Sequence, residues 1–191
     1  RIIVIIVIVG LLASGVFVFF GHPTSGPDAT QYDRIGYNIV SGNGYSLDEH
    51  KPFSPTMFRE PAYPFFLALI YGIFGHTVMP VLLVQMVLHT ATALLTYLIA
   101  REVFSQQMAF ISGLLVAFFP TLANTAAYLL SETLFTFMLC LGVLLFITAF
   151  KRQRLLPYVV AALALALATL TKAATLLLPA VLIIAAGVIT A

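Results

Sequence analysis

The chain has 191 residues, of which 61% are hydrophobic and only 8% charged. A soluble domain carries about 25% charged residues, so this chain cannot cover itself with polar surface and takes lipid as its solvent. The net charge of +2, with the bases scattered in pairs and triplets, excludes a nucleic-acid face.

A single cysteine, Cys140, lies in an apolar run and reads as a small buried hydrophobe, so no disulfide framework exists. The chain begins at Arg1 and stops inside an apolar run at Ala191. We therefore expect the N-terminal part of a longer protein.

The first apolar run, 2–20, is long enough to cross roughly 30 Å of hydrocarbon at about 1.5 Å per residue. It ends in Phe17-Val18-Phe19-Phe20 rather than a small-x-small cleavage site, which favours a retained helix over a signal peptide. Composition then changes. The outer loop, 21–77, gathers Asp28, Asp33, Arg34, Asp48, Glu49, Lys51, Arg59 and Glu60. Within it Tyr32, Ile35 and Ile39 recur at helical spacing, which predicts an amphipathic helix over about 28–41 lying along the membrane. Ser41-Gly42-Asn43-Gly44 ends it, because Gly and Asn tolerate a left-handed backbone. The apolar stretch 62–75 extends only about 21 Å as a helix, so it reads as a second interfacial or re-entrant helix, with a short span as the alternative.

Five further spans are predicted at about 78–100, 106–122, 133–150, 155–171 and 173–191, the second distorted at Pro120. The expected fold is all-α, a polytopic transmembrane helical bundle. The positive-inside rule places Lys151, Arg152 and Arg154 in the cytoplasm, with Arg1 and Arg101. These sites share one side only if 62–75 does not cross. The first loop, the 124–132 connection and Lys172 then face outward.

Four features converge on that outer level. Asp28 opens the first amphipathic helix, Arg59-Glu60-Pro61 closes the loop, Ser131-Glu132 begins an inward helix and Lys172 lies between the last two spans. Ionisable groups at membrane depth are usually placed for chemistry, although those at helix ends cost less. Each also has a plainer account. Asp28 is a preferred capping residue, Glu132 complements a helix dipole and Lys172 can snorkel to the headgroups. Asp33 with Arg34, and Asp48 to Lys51, read as solvated loop charges. The histidines His22, His50, His76 and His89 form no metal-ligand spacing, and His89 reads as a hydrogen-bonded packing residue.

In order and spacing these pieces resemble the GT-C class of polyprenyl-phosphate-sugar-dependent glycosyltransferases, closest to families 39 and 83, the protein O-mannosyltransferase and aminoarabinose transferase group. The pieces are Asp28 to Tyr32, Gly42 to Tyr45, Arg59 to Ala68, Leu130 to Phe135 and Leu170 to Lys172. The resemblance implies an extracytoplasmic first loop with juxtamembrane helices and a catalytic acid. It implies that Asp28 is that acid, acting as base on an acceptor hydroxyl, with Glu132 as a second acid. Arg59 and Lys172 fall where the family contacts the donor phosphate. Tyr32, Tyr63 and Glu60 complete the expected substrate-binding set.

Two departures stand out. Ala29 takes the place of a second acid carried by many relatives, and Arg59-Glu60-Pro61 replaces Lys-Pro-Pro. The implied reaction is inverting, single-step sugar transfer from a polyprenyl-phosphate donor to a protein, lipid or glycan acceptor. The departing phosphate is stabilised by cations, and the base stands across the anomeric carbon. No cofactor or metal is indicated, although a divalent ion is compatible. The expected location is a bacterial or archaeal plasma membrane, with the site facing outward. A transporter or flippase for a lipid or small molecule is the alternative; Gln85 and His89 are the main polar groups it finds within the spans.

Overall fold

The computed structural model describes residues 1–21 and 26–190. His22 and Ala191 lie outside them. The described residues are all-α, forming a helical membrane bundle. In chain order the helices are α1 (Ile2–Phe20), α2 (Pro27–Val40), α3 (Ala62–Phe74), α4 (Val78–Arg101), α5 (Gln106–Phe118), α6 (Pro120–Thr125), α7 (Glu132–Arg152), α8 (Leu155–Thr171) and α9 (Leu178–Thr190). Among the described residues α1, α4 and α7 are long and apolar enough to cross a membrane by themselves.

Small side chains set the packing of these helices. In α1 the buried positions Ile6, Gly10, Ser14 and Val18 recur every four residues, so one stripe meets the bundle and Ile8, Leu12 and Phe19 face outward. A methyl group at Gly10 would meet Thr90 of α4 at 3.0–3.2 Å, so glycine there permits close approach. Between α7 and α8 the contact runs through Gly142, whose added Cβ would meet Leu165 at 2.7 Å, and through buried Ala161, Ala164 and Ala168.

The expected helix over 106–122 is two helices. The ring of Pro120 cannot continue α5, so Phe119 takes an extended backbone and Pro120 starts α6 at a position that suits its fixed φ. The expected helix over 173–191 starts late: after extended backbone at Lys172 the chain makes a 3-10 turn over Ala173–Thr175, and α9 begins only at Leu178.

The bundle has two distinct ends. Ile2, Ala100 and Tyr97 share one apolar cluster, and Lys151 reaches across from α7 to bond the Glu102 carboxylate at 2.7 Å and its carbonyl at 3.1 Å. Arg1, Arg101 and the 151–154 bases therefore collect at a single end. At the other end Val18, Tyr32, Tyr63, Leu67, Tyr71 and Leu134 form a second cluster. Here α3 packs on α2 with Gly36 against Leu67, and the α2 stop uses Gly42 and Gly44 at φ of 76° and 83°.

Candidate active site

The amphipathic pattern of α2 buries Ala29, Tyr32, Ile35 and Gly36 and turns the opposite side toward solvent. Gly26 is its N-cap, Pro27 sets the first turn and Asp28 follows one residue inside. Asp28 therefore does not cap the helix. Its carboxylate instead accepts from Arg59 Nη2, the residue that closes the long loop before α3. The Asp28 side chain is 58% exposed and that of Arg59 only 17%. Such a half-exposed pair adds at most about 1 kcal/mol of stability, so stability does not explain its placement.

Arg59 is held on every side. Its Nε and Nη2 donate to Gln31 Oε1 at 2.8 and 2.6 Å. Its guanidinium lies 5.0 Å from the Tyr32 ring and 5.2 Å from the Phe58 ring. Its backbone carbonyl accepts from the Tyr45 hydroxyl at 2.8 Å. Burial pushes the Tyr45 phenol up to about 12; Tyr32 and Glu60 add to the rise and Arg59 opposes it. Glu60 lines, with Tyr45, Thr56, Met57, Phe58, Arg59 and Pro61, a cavity of about 450 Å³ beside the pair.

A second pair stands on the neighbouring helices. Lys172 Nζ, at the end of α8, donates to Glu132 Oε1 in the first turn of α7 at 2.7 Å. Glu132 Oε2 and Thr133 Oγ1 are buried without a hydrogen-bond partner among the described residues. Contrast Thr136, whose hydroxyl donates to the Glu132 carbonyl.

Tyrosines join the two pairs. The Tyr32 hydroxyl donates to Ser131 Oγ at 3.3 Å, immediately before Glu132, while the Tyr32 ring carries Arg59. Tyr32 meets Tyr63 edge-on at 4.9 Å. Tyr63 is fully buried and donates to Gln85 Oε1 at 2.7 Å. Gln85 Nε2 then donates to the carbonyls of Ala126 and Tyr128 at 3.1 and 2.7 Å, which fixes the connection leading into α7. Asp28, Arg59, Tyr32, Ser131, Glu132 and Lys172 thus form one connected line at the end of the bundle opposite Lys151.

Three features were not evident in the sequence. Gln31 lies three residues after Asp28, on the same helix face, which is the spacing that exposes it. Gln85 serves this end from inside α4 rather than lining a path through the bundle. Several loop charges expected to be merely solvated have protein partners. Asp33 Oδ1 accepts from the Tyr71 hydroxyl at 2.6 Å and bonds His76 Nε2 at 2.9 Å, Arg34 pairs with Glu49, and Asp48 Oδ2 accepts from Ser54 N at 2.6 Å. His89 is a packing residue, buried with its ring nitrogen 3.2 Å from the Ala117 carbonyl. Cys140 is half-buried and free. No group of three or more metal-ligating side chains occurs among the described residues.

The family model described as dolichyl-phosphate-mannose-protein mannosyltransferase matches residues 51–190. Neither the curated proteins nor the solved structures returned a match.

Proposed function

The chain belongs to the dolichyl-phosphate-mannose-protein mannosyltransferase family, and from that premise we propose that the line from Asp28 to Lys172 is where it transfers a sugar from a polyprenyl-phosphate donor. The observation that carries this reading is the pairing of two cations with two acids at one end of an apolar bundle. A lipid-phosphate sugar keeps its tail in the bilayer and its scissile C1–O bond at headgroup level, which is the level such a bundle end occupies.

The leaving group is already a phosphate, so no nucleophilic side chain is needed. The bond to be broken joins C1 of the sugar to the phosphate oxygen, and its electron pair leaves with that oxygen. Lys172 and Arg59 supply positive charge to meet it in a half-buried setting, where charge is screened less than in water. The acceptor hydroxyl attacks C1 from the opposite face with inversion, and its proton passes to Asp28.

Direct contact between Asp28 and Arg59 shapes this scheme. Arg59 engages the base through Nη2, and Nη1 of the same planar fork is the group that turns to the phosphate. The buried Glu132 Oε2 is an acceptor suited to a sugar or acceptor hydroxyl. The end bearing Asp28 faces outward, because Arg1, Arg101 and Lys151 mark the other end as cytoplasmic. The acceptor is a hydroxyl-bearing protein, lipid or glycan.

Asp28→Asn tests this reading. It keeps the shape and removes the base. In membranes supplied with the lipid-linked donor, transfer should fall at least about 100-fold, the usual worth of a positioned base, while expression and thermal unfolding stay unchanged. Undiminished transfer would remove Asp28 from the chemistry.

A further inference from the structure

The hold that Gln31 has on Arg59 carries more than packing. An arginine guanidinium only donates hydrogen bonds, so the Gln31 amide must present its oxygen to it. That one oxygen takes both Nε–H and Nη2–H. Two donors pinned at one acceptor fix the guanidinium plane and with it the direction of Nη1, which makes no hydrogen bond among the described residues. The rings of Tyr32 and Phe58 restrict tilting out of that plane.

Charge matters as much as direction. Arg59 already faces one carboxylate, Asp28. A second carboxylate at position 31 would leave the trio with net charge −1 and repel an incoming phosphate. A neutral amide gives the same two-donor grip without that cost.

We propose that Gln31 is the positioning residue for Arg59, aiming Nη1 at the donor phosphate while leaving its positive charge available. The inference rests on the reading above that Arg59 meets that phosphate. Gln31 touches neither the sugar nor the phosphate in this account and acts wholly through Arg59.

The test measures binding of a water-soluble short-chain isoprenyl phosphate to the full-length protein in nanodiscs. The variants are Gln31→Leu, Gln31→Glu, Arg59→Ala and the double variant Gln31→Leu/Arg59→Ala. Gln31→Leu should weaken binding about tenfold, the scale of a lost hydrogen bond to a charged group. Gln31→Glu keeps the grip but adds charge, so its loss should shrink as salt rises, while that of Gln31→Leu should not. In the Arg59→Ala background Gln31→Leu should add nothing, since a residue acting through another has no separate effect.

Equal losses from Gln31→Leu in both backgrounds, or wild-type binding by Gln31→Glu, would overturn the proposal. If Gln31→Leu does not fold, the isosteric Gln31→Glu and its salt dependence decide alone. Unchanged binding by Arg59→Ala would instead sink the donor-phosphate reading of Arg59. Weak binding by Arg59→Ala with full binding by both Gln31 variants would overturn the Gln31 inference only.

Discussion

Tyr45 illustrates how a single loop residue holds the site. Its hydroxyl reaches from the turn after α2 to the Arg59 carbonyl and fixes the strand of loop that delivers the guanidinium. The bond requires the phenol to stay protonated, and burial ensures this by raising its pKa to about 12. A folded pKa above the unfolded value of about 10 means the stabilisation is complete below pH 10 and is lost as pH climbs through about 12. Ultraviolet titration of the folded protein, compared with Tyr45→Phe, should therefore show the Tyr45 phenolate emerging near 12 rather than 10. Emergence at the ordinary value would mean that Tyr45 is solvated and does not hold Arg59. Residues of this kind were only partly legible in the sequence. Asp28, Arg59, Glu132 and Lys172 stood out because charge in an apolar chain is conspicuous, yet their pairing depends on tertiary approach. Gln31 and Gln85 carry no charge and were correspondingly quiet. Asp33 reads as a solvated charge until α3 brings Tyr71, and the turn after it brings His76, against it.

The α2–α3 contact is the element that places Asp28 and Arg59 beside each other, because Arg59 lies three residues ahead of α3 and Asp28 lies in the first turn of α2. Gly36 is the point of closest approach. A Cβ there would meet the Leu67 Cβ at 2.8 Å and the Pro64 carbonyl at 3.4 Å. Gly36→Val should therefore force the helices apart, costing about 1–3 kcal/mol, and should lower both thermal stability and sugar transfer. Gly72→Ala is the control. Its Cβ would meet only Val40 at an ordinary 3.6 Å, and unfolding and transfer should stay at wild-type levels. A Gly36→Val protein that unfolds and transfers like wild type would show that this contact does not position the pair. Period and length made these helices readable, since Tyr32, Ile35 and the short apolar run after Pro61 carry the pattern. The breaks were harder to locate. Pro120 signals distortion but not that a new helix starts on its own ring, and nothing in Leu170-Thr171-Lys172 announces an extended backbone at Lys172.

At the scale of the whole molecule, one bundle has two chemically distinct ends. Bases at Arg1, Arg101 and Lys151 gather at one end, while the Asp28–Arg59 and Glu132–Lys172 pairs gather at the other. The sequence already carried this expectation, because the positive-inside rule puts the three basic sites on one side if the short stretch 62–75 does not cross. What the sequence lacked was the connection through Tyr32 and Ser131 that links the two acid–base pairs. The most direct test couples sidedness to chemistry in sealed membrane vesicles of known orientation. Ser54→Cys and Gln153→Cys variants, both at exposed positions, are probed with an impermeant thiol reagent. Transfer is measured on the same vesicles with a water-soluble short-chain lipid-phosphate sugar added outside. Transfer should proceed only in vesicles whose accessible face labels Ser54→Cys and leaves Gln153→Cys unlabelled. Transfer from the face that labels Gln153→Cys, or labelling of both positions from one side, would contradict it.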